Sequence, residues 1–280
     1  VMLGTRGIAP EDLARHLEFT RLVVRDEIGG DAAALAEEYL SASLAHLPTL
    51  PSELPSHLTA DAPQAELARK YLDALLDGDR HSASQMVLDA VGAGTPVKDI
   101  YLHVFQPSQY EVGRLWQVNA ISVAQEHYCT AATQLIMSQL YPHIFASEKR
   151  AGTLVATCVS GDLHEIGVRM VADFFELDGW NTFYLGANMP AQSVVDTVVQ
   201  RGAQVLGISA TISSHLRAVR DVIERIHAHP DCQHVKILVG GYPFLVDPDL
   251  WRKVAADGCA RNAQEAITVA HELIARDQRA

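Results

Sequence analysis

Four cysteines stand in 280 residues, Cys129, Cys158, Cys232 and Cys259, widely separated and with no Cys-x-x-Cys pair. That spacing argues against a disulfide framework and against a cysteine zinc site. No apolar run approaches the roughly 18 residues of a membrane helix, so no span is expected. Val1 to Glu11 lacks the basic start, apolar stretch and small-residue cleavage site of a secretory leader, which points to a cytoplasmic protein. Basic residues are the scarcer charge, 22 Lys and Arg against 34 Asp and Glu, for a net charge of −12. An acidic surface repels phosphate backbones, so direct DNA binding is not expected. The chain has no internal repeat, no low-complexity segment and no histidine pair with HExxH spacing.

What is there is an ordinary globular composition, 48% apolar and 20% charged. The length suits two domains of about 150 residues each, enough to bury cores without staples. Histidine is plentiful: thirteen, more than Met (5) and Phe (7) together. Histidine binds metals and moves protons near neutral pH, so its positions carry information.

Apolar spacing predicts helices over 16–28 and 32–45, separated by Gly29-Gly30-Asp31 as stop and cap. Pro48, Pro51 and Pro55 then mark a linker or an extended wrap. Four further helices are expected over 63–77, 79–93, 97–116 and 120–145, with a kink at Pro107. Their short connections imply a compact four-helix bundle. A linker over 146–152 follows. Beyond it the period changes. Strands over 153–159, 182–185, 205–208, 235–239 and 258–260 alternate with helices over 164–178, 190–201, 214–228, 246–256 and 263–275. This alternation means a parallel, doubly wound five-stranded sheet with its ligand edge at the strand carboxyl ends. The expected architecture is therefore an N-terminal helical extension (1–60), a four-helix-bundle cap (61–147) and a flavodoxin-like, Rossmann-type α/β domain (152–280).

The first strand runs into Ser160-Gly161-Asp162-Leu163-His164-Glu165-Ile166-Gly167, at that ligand edge. Gly161 permits an unusual turn. Asp162 stands two residues before His164, where a carboxylate can hold one imidazole nitrogen and leave the other to face a metal. Gly167 lets a bulky group approach the first helical turn. Gly186 to Pro190 follows the second strand, Ser209-Ala210-Thr211 the third, and Gly240-Gly241 the fourth, where a side chain would block a ligand.

Asp162-x-His164-x-x-Gly167, Ser209-x-Thr211 and Gly240-Gly241, in order, resemble the cobalamin-binding domain of corrinoid proteins. The resemblance covers residues 63–280, since a helical bundle before the sheet also belongs to that family. It implies that His164 replaces the cofactor's own dimethylbenzimidazole on cobalt, with Asp162 as its hydrogen-bond partner. Ser209, Thr211, Gly240 and Gly241 would line the pocket of the displaced tail. Thr211 stands where leucine is more usual.

In the bundle, Trp116 is followed after nine residues by Glu126-His127. That pattern resembles the sensor module of light-responsive, adenosylcobalamin-dependent regulators, where Trp, Glu and His surround the adenosyl group. The resemblance implies a non-enzymatic photoreceptor: light breaks the Co–C bond, the cap moves and a homo-oligomer rearranges to signal to an unidentified output protein. Two departures stand out. Gln117 replaces the histidine that commonly takes the upper cobalt site after light, leaving His127 and His103 as substitutes. No basic DNA-binding domain precedes the cap. The photocobilin subfamily, which adds biliverdin beside cobalamin, fits that absence better, with the N-terminal helices helping to form the second pocket. The alternative is the corrinoid protein of a methyltransferase system, which carries a methyl group on cobalt. A mutase subunit would need a substrate barrel that this chain lacks. The other histidines, His215 among them, receive no role.

Overall fold

The computed structural model describes residues 1–51, 53–145, 149 and 152–277. The expected linker over 146–152 falls almost wholly outside them. The chain divides into two compact units: Val1–Asp89 with Leu102–Thr133, and Ala90–Tyr101 with Gln134–Ala280.

The first unit is helical. α1 (Pro10–Glu27) opens on a first-turn proline, where the missing N–H has no cost. α2 (Gly30–His46) packs along it, after a turn in which Gly29 and Gly30 both take φ +64°. This hairpin buries one residue, Ala33. Phe19, Val23, Leu35 and Tyr39 stay more than half exposed. The proline segment then does wrap. The His57 N–H donates to Glu111 Oε2 at 2.8 Å, and Arg114 holds both oxygens of that carboxylate. Burial opposes ionisation of Glu111, but Arg114 and the His57 N–H outweigh it and lower its pKa.

α3 (Ala65–Leu76), most of α4 (Arg80–Gly92), α6 (Gln106–Gln117) and the start of α7 (Val123–Gln139) complete this unit. α3 points Ala68, Tyr71, Leu72 and Leu75 inward at helical spacing. The Tyr71 hydroxyl meets Thr133 Oγ1 at 2.8 Å in the core. α5 (Val97–Ile100) leads through a π-helical turn, Tyr101–Phe105, into α6. Where a kink was expected at Pro107, the π-helical turn ends just before the proline, which stands in the first turn of α6, where its missing N–H has no cost.

The second unit carries five parallel strands: β1 (Thr153–Val159), β2 (Asn181–Met189), β3 (Val205–Ser209), β4 (Lys236–Gly240) and β5 (Gly258–Cys259), in the order β2-β1-β3-β4-β5. This is the flavodoxin-like order, which puts the topological switch between β1 and β3. β1 is an inner strand, paired on both sides and buried almost throughout, as its unbroken apolar run requires. α10 (Ala191–Arg201) and α11 (Leu216–Ala228) pack together on the core formed with Val155, Leu206 and Ile237. α9 (Ile166–Leu177) packs with α14 (Ala263–Asp277). α8 (Tyr141–Ile144) is a single turn against α9. The helix expected over 246–256 is two short pieces, α12 (Tyr242–Val246) and α13 (Leu250–Lys253). Pro248 between them bars an uninterrupted helix. β2 runs four residues beyond its expected end, with register shifts against β1.

α9 also buries a carboxylate. Asp173 accepts from the Tyr101 hydroxyl at 2.8 Å. Burial and the Glu176 charge raise its pKa to about 6, against the pull of Tyr101 and Arg169. The folded state therefore holds this proton more tightly than the unfolded chain. The associated stability is full below pH ~4 and is lost as pH rises through ~6. Asp173→Asn should remove that slope, gaining up to ~2–3 kcal/mol on the wild type between pH 4 and 8. Melting temperatures across that range check it; parallel curves for the two proteins would show that Asp173 titrates normally.

Candidate functional site

The site begins where β1 ends. Gly161 turns the chain at φ +87°, and Asp162 is fully buried beneath the loop. Asp162 Oδ1 accepts from the His164 N–H at 3.0 Å and from His164 Nδ1 at 2.8 Å. Its Oδ2 accepts from the Thr211 N–H at 2.6 Å. Burial alone would raise this carboxyl, but the bonds from the His164 ring and from the two backbone N–H groups take it down to about 2. An ionised carboxylate only accepts, so His164 Nδ1 carries the proton that Asp162 receives and Nε2 is the ring nitrogen turned away from it. The imidazole is 58% exposed. Its ring is held in one direction on the ligand edge of the sheet.

The three motifs meet here. Thr211 bonds Asp162 through its backbone, and Ser209 stands level with Cys158 of β1 and Gly240 of β4. Gly241, at φ +103°, lies so close to β3 that a Cβ there would sit 2.0 Å from the Ala210 carbonyl oxygen. The chain's own backbone thus demands this glycine, apart from any ligand. Gly167 is the opposite case: a Cβ there would meet nothing within 4 Å. Cys158, beneath the loop, is pushed up to about 12 by burial and by the Asp162 and Glu165 charges, which keeps the thiol protonated.

Three residues that sequence reasoning gave no role support this edge. Asn188, in a left-handed conformation (φ +54°), accepts from the Gly161 N–H at 2.8 Å and donates its own N–H to the Asp162 carbonyl at 2.9 Å. It clasps the end of β2 to the His164 loop. Glu165 accepts from Gln134, from the Tyr184 hydroxyl and from the Ala187 N–H. His215 places Nδ1 3.4 Å from Asp162 Oδ2, off hydrogen-bond geometry and without another partner among the described residues. Tertiary proximity alone brings it there. Asn188 offered one signal, since asparagine is among the few residues that tolerate positive φ.

The loops on this edge also expose apolar side chains. Leu163 (72%), Ile212, Tyr242 and Val246 (66%) all stand open, on the segments after β1, β3 and β4. Exposed apolar side chains on the loops of this edge suit a partly apolar ligand.

In the helical unit, Trp116 lies in the last turn of α6 and Glu126 and His127 in the first turns of α7. Glu126 Oε1 accepts from the Thr130 hydroxyl at 2.9 Å, and its Oε2 lies 3.4 Å from His127 Nε2. His127 is 76% exposed. Arg6 lies over the Trp116 ring at 5.3 Å.

Residues 152–270 match the B12 binding domain family, and residues 67–141 match a second B12 binding domain family. Dimethylamine corrinoid protein 3 of Methanosarcina mazei is 31% identical over 168 residues, 60% of this chain and 96% of that one. The chain belongs to the corrinoid proteins. Monomethylamine corrinoid protein 2 of Methanosarcina barkeri is 27% identical over 215 residues, 75% of this corrinoid chain and 98% of the relative. The solved Methanosarcina barkeri monomethylamine corrinoid protein superposes with a TM-score of 0.67 at 26% identity, covering 75% of this chain and 100% of that one.

These matches overturn the photoreceptor. The relatives are methylamine corrinoid proteins, so light sensing, biliverdin and a light-dependent homo-oligomer are withdrawn. The structure shows why Trp116-x9-Glu126-His127 misled. Glu126 is engaged within its own helix by Thr130 and lies close to His127, and one face of Trp116 is covered by Arg6. None of these contacts is particular to an adenosyl group. The N-terminal helices assigned to a bilin pocket bury Ala33 alone. The cobalamin assignment stands. An Nδ1-anchored imidazole, open space at Gly167 and exposed apolar side chains on the same loops suit a corrin cobalt.

Proposed function

We propose that this chain is a methyl carrier: the corrinoid protein of a methyltransferase system, serving a partner enzyme rather than catalysing alone. Bound cobalamin supplies a cobalt centre that accepts a methyl group from one substrate and releases it to another. His164 would hold the cobalt through Nε2, in place of the cofactor's own base. Asp162 fixes the tautomer and raises the basicity of the imidazole. Ser209, Thr211, Gly240 and Gly241 would receive the displaced tail, and Gly167 would leave room for the corrin. We assign Trp116, Glu126 and His127 to cofactor contact as well. The methylamine relatives support a small methylated amine as donor and a methyltransferase chain as partner. Among the described residues no helix is long and apolar enough to cross a membrane, and the four cysteines are unpaired, which supports a reducing compartment.

The Asp162–His164 pair, held at 2.8 Å with the ring exposed, carries this reading. Its test is a loading and transfer experiment. The protein should bind one cobalamin per chain and, once reduced, take one labelled methyl group from iodomethane. Added methylamine-type methyltransferase and its acceptor should then remove the label. Failure to bind cobalamin, or a label that such enzymes cannot remove, would contradict the carrier role.

A further inference from the structure

Ala156 pairs with Tyr184 and Val159 with Met189, so β2 spends two more residues than β1 over this stretch. Two of its residues there are left-handed, Gly186 at φ +80° and Asn188 at φ +54°. Extra residues of this kind re-aim side chains at the rim of a sheet. Here they bring the end of β2 against the His164 loop on both sides of the histidine. Before it, the Gly161 N–H donates to Asn188 Oδ1 at 2.8 Å, and the Asn188 N–H donates to the Asp162 carbonyl at 2.9 Å. One residue thus holds the backbone on either side of the Asp162 α-carbon. After it, Glu165 Oε2 accepts from the Tyr184 hydroxyl at 2.9 Å and from the Ala187 N–H at 3.1 Å. All of these residues belong to the α/β unit.

We propose that Asn188 is a positioning residue for the cobalt ligand: it pins the backbone of Asp162 and so aims the carboxylate that in turn aims the His164 ring. This rests on the assignment of His164 to cobalt. Asp162 is the pivot, since its side chain takes the bonds from His164 while its main chain is held by Asn188. Released at Asn188, Asp162 can turn about its own backbone, and its carboxylate no longer holds Nδ1 in one place. The residue type fits the task. Asparagine is among the few that enter the left-handed region, and its short side chain supplies the acceptor. Glycine would supply the turn alone, and aspartate both.

Two measurements on the full chain decide the matter. The first uses cofactor-free protein grown on nitrogen-15 histidine, at about pH 8.5, above the ordinary imidazole range. Ring nitrogen shifts tell a protonated nitrogen from a bare one, and His164→Ala assigns the His164 signals by their loss. Asn188→Gly should lower the ratio of Nδ1–H to Nε2–H forms of His164 about three- to tenfold, with melting close to that of the wild type. Asn188→Asp should restore the ratio. The second is aquocobalamin titration, where Asn188→Gly should bind about three- to tenfold more weakly and Asn188→Asp close to wild type. If His164→Ala weakens binding while Asn188→Gly changes neither the ring form nor the affinity, the positioning role is wrong and the cobalt assignment survives. Weaker binding of Asn188→Gly with an unchanged ring form would also overturn it. If Asn188→Gly shifts the ring form but His164→Ala binds cobalamin as the wild type does, the cobalt assignment fails and the proposal with it.

Discussion

Gly241→Ala is expected to yield little folded protein. Its new Cβ would stand 2.0 Å from the Ala210 carbonyl oxygen and 2.8 Å from its carbon, both backbone atoms. No side-chain rotation relieves that clash. The residue also sits at φ +103°, where alanine is strained. Relief requires β3 and β4 to part at the Ala210–Gly240 hydrogen bond of 3.1 Å. The combined cost is at least ~4 kcal/mol, in the range reserved for named structural failures and a large share of a domain's total stability. Gly167→Ala is the informative contrast. Space is open around that position, in the first turn of α9, so folding should be unchanged or better by a few tenths of a kcal/mol. If the opening admits a corrin, cobalamin affinity should nonetheless fall, by tenfold or more. Thermal unfolding of the cofactor-free proteins and cobalamin titrations separate the two variants. A stable Gly241→Ala protein, or a Gly167→Ala protein that binds normally, would refute the respective half.

Asp162→Ala should have the second large effect, on both stability and binding. Three donors converge on this carboxylate: the His164 N–H, His164 Nδ1 and the Thr211 N–H. The Thr211 donor is anchored to a group with no solvent exposure, and an unmet buried donor costs ~1–3 kcal/mol. The half-exposed His164 ring can turn to water, which limits the stability loss to ~2–4 kcal/mol in total. Its tautomer and direction are then no longer fixed. Loss of such a supporting contact typically weakens metal binding 10–100-fold. Asp162→Asn should fall between, since one amide oxygen can serve His164 while the amide NH2 opposes the Thr211 N–H. Melting curves and aquocobalamin titrations provide the readings. Wild-type affinity in Asp162→Ala would mean that His164 is oriented by something else.

The alternation of short apolar runs with amphipathic helices was legible as a parallel sheet because central strands buried on both faces leave an unbroken apolar signature. The Asp162–His164 contact and Gly241 were legible because their chemistry is local: a carboxylate two residues from an imidazole, and a position where a side chain does not fit. Other features depend on distance in the fold. His215 reaches Asp162 from the loop after β3, and Asn188 clasps Gly161 from the end of β2; neither contact follows from spacing. The π-helical turn at Tyr101–Phe105 was read as a kink, since Pro107 reports only that an N–H is missing. Trp116-x9-Glu126-His127 failed more instructively. Glu126 bonds Thr130 within its own helix, His127 is exposed beside it and Arg6 covers Trp116, so the pattern does not name a ligand.

The central claim is that His164 of this chain, and not the cofactor's own base, sits on cobalt. Protein grown on nitrogen-15 histidine, loaded with unlabelled cobalamin and reduced to Co(II), tests it by electron paramagnetic resonance. A spin-half nitrogen splits each cobalt line into a doublet, an ordinary spin-one nitrogen into a triplet. Doublets that vanish in His164→Ala are predicted. Triplets in the labelled wild type would show dimethylbenzimidazole still bound, and would contradict the account.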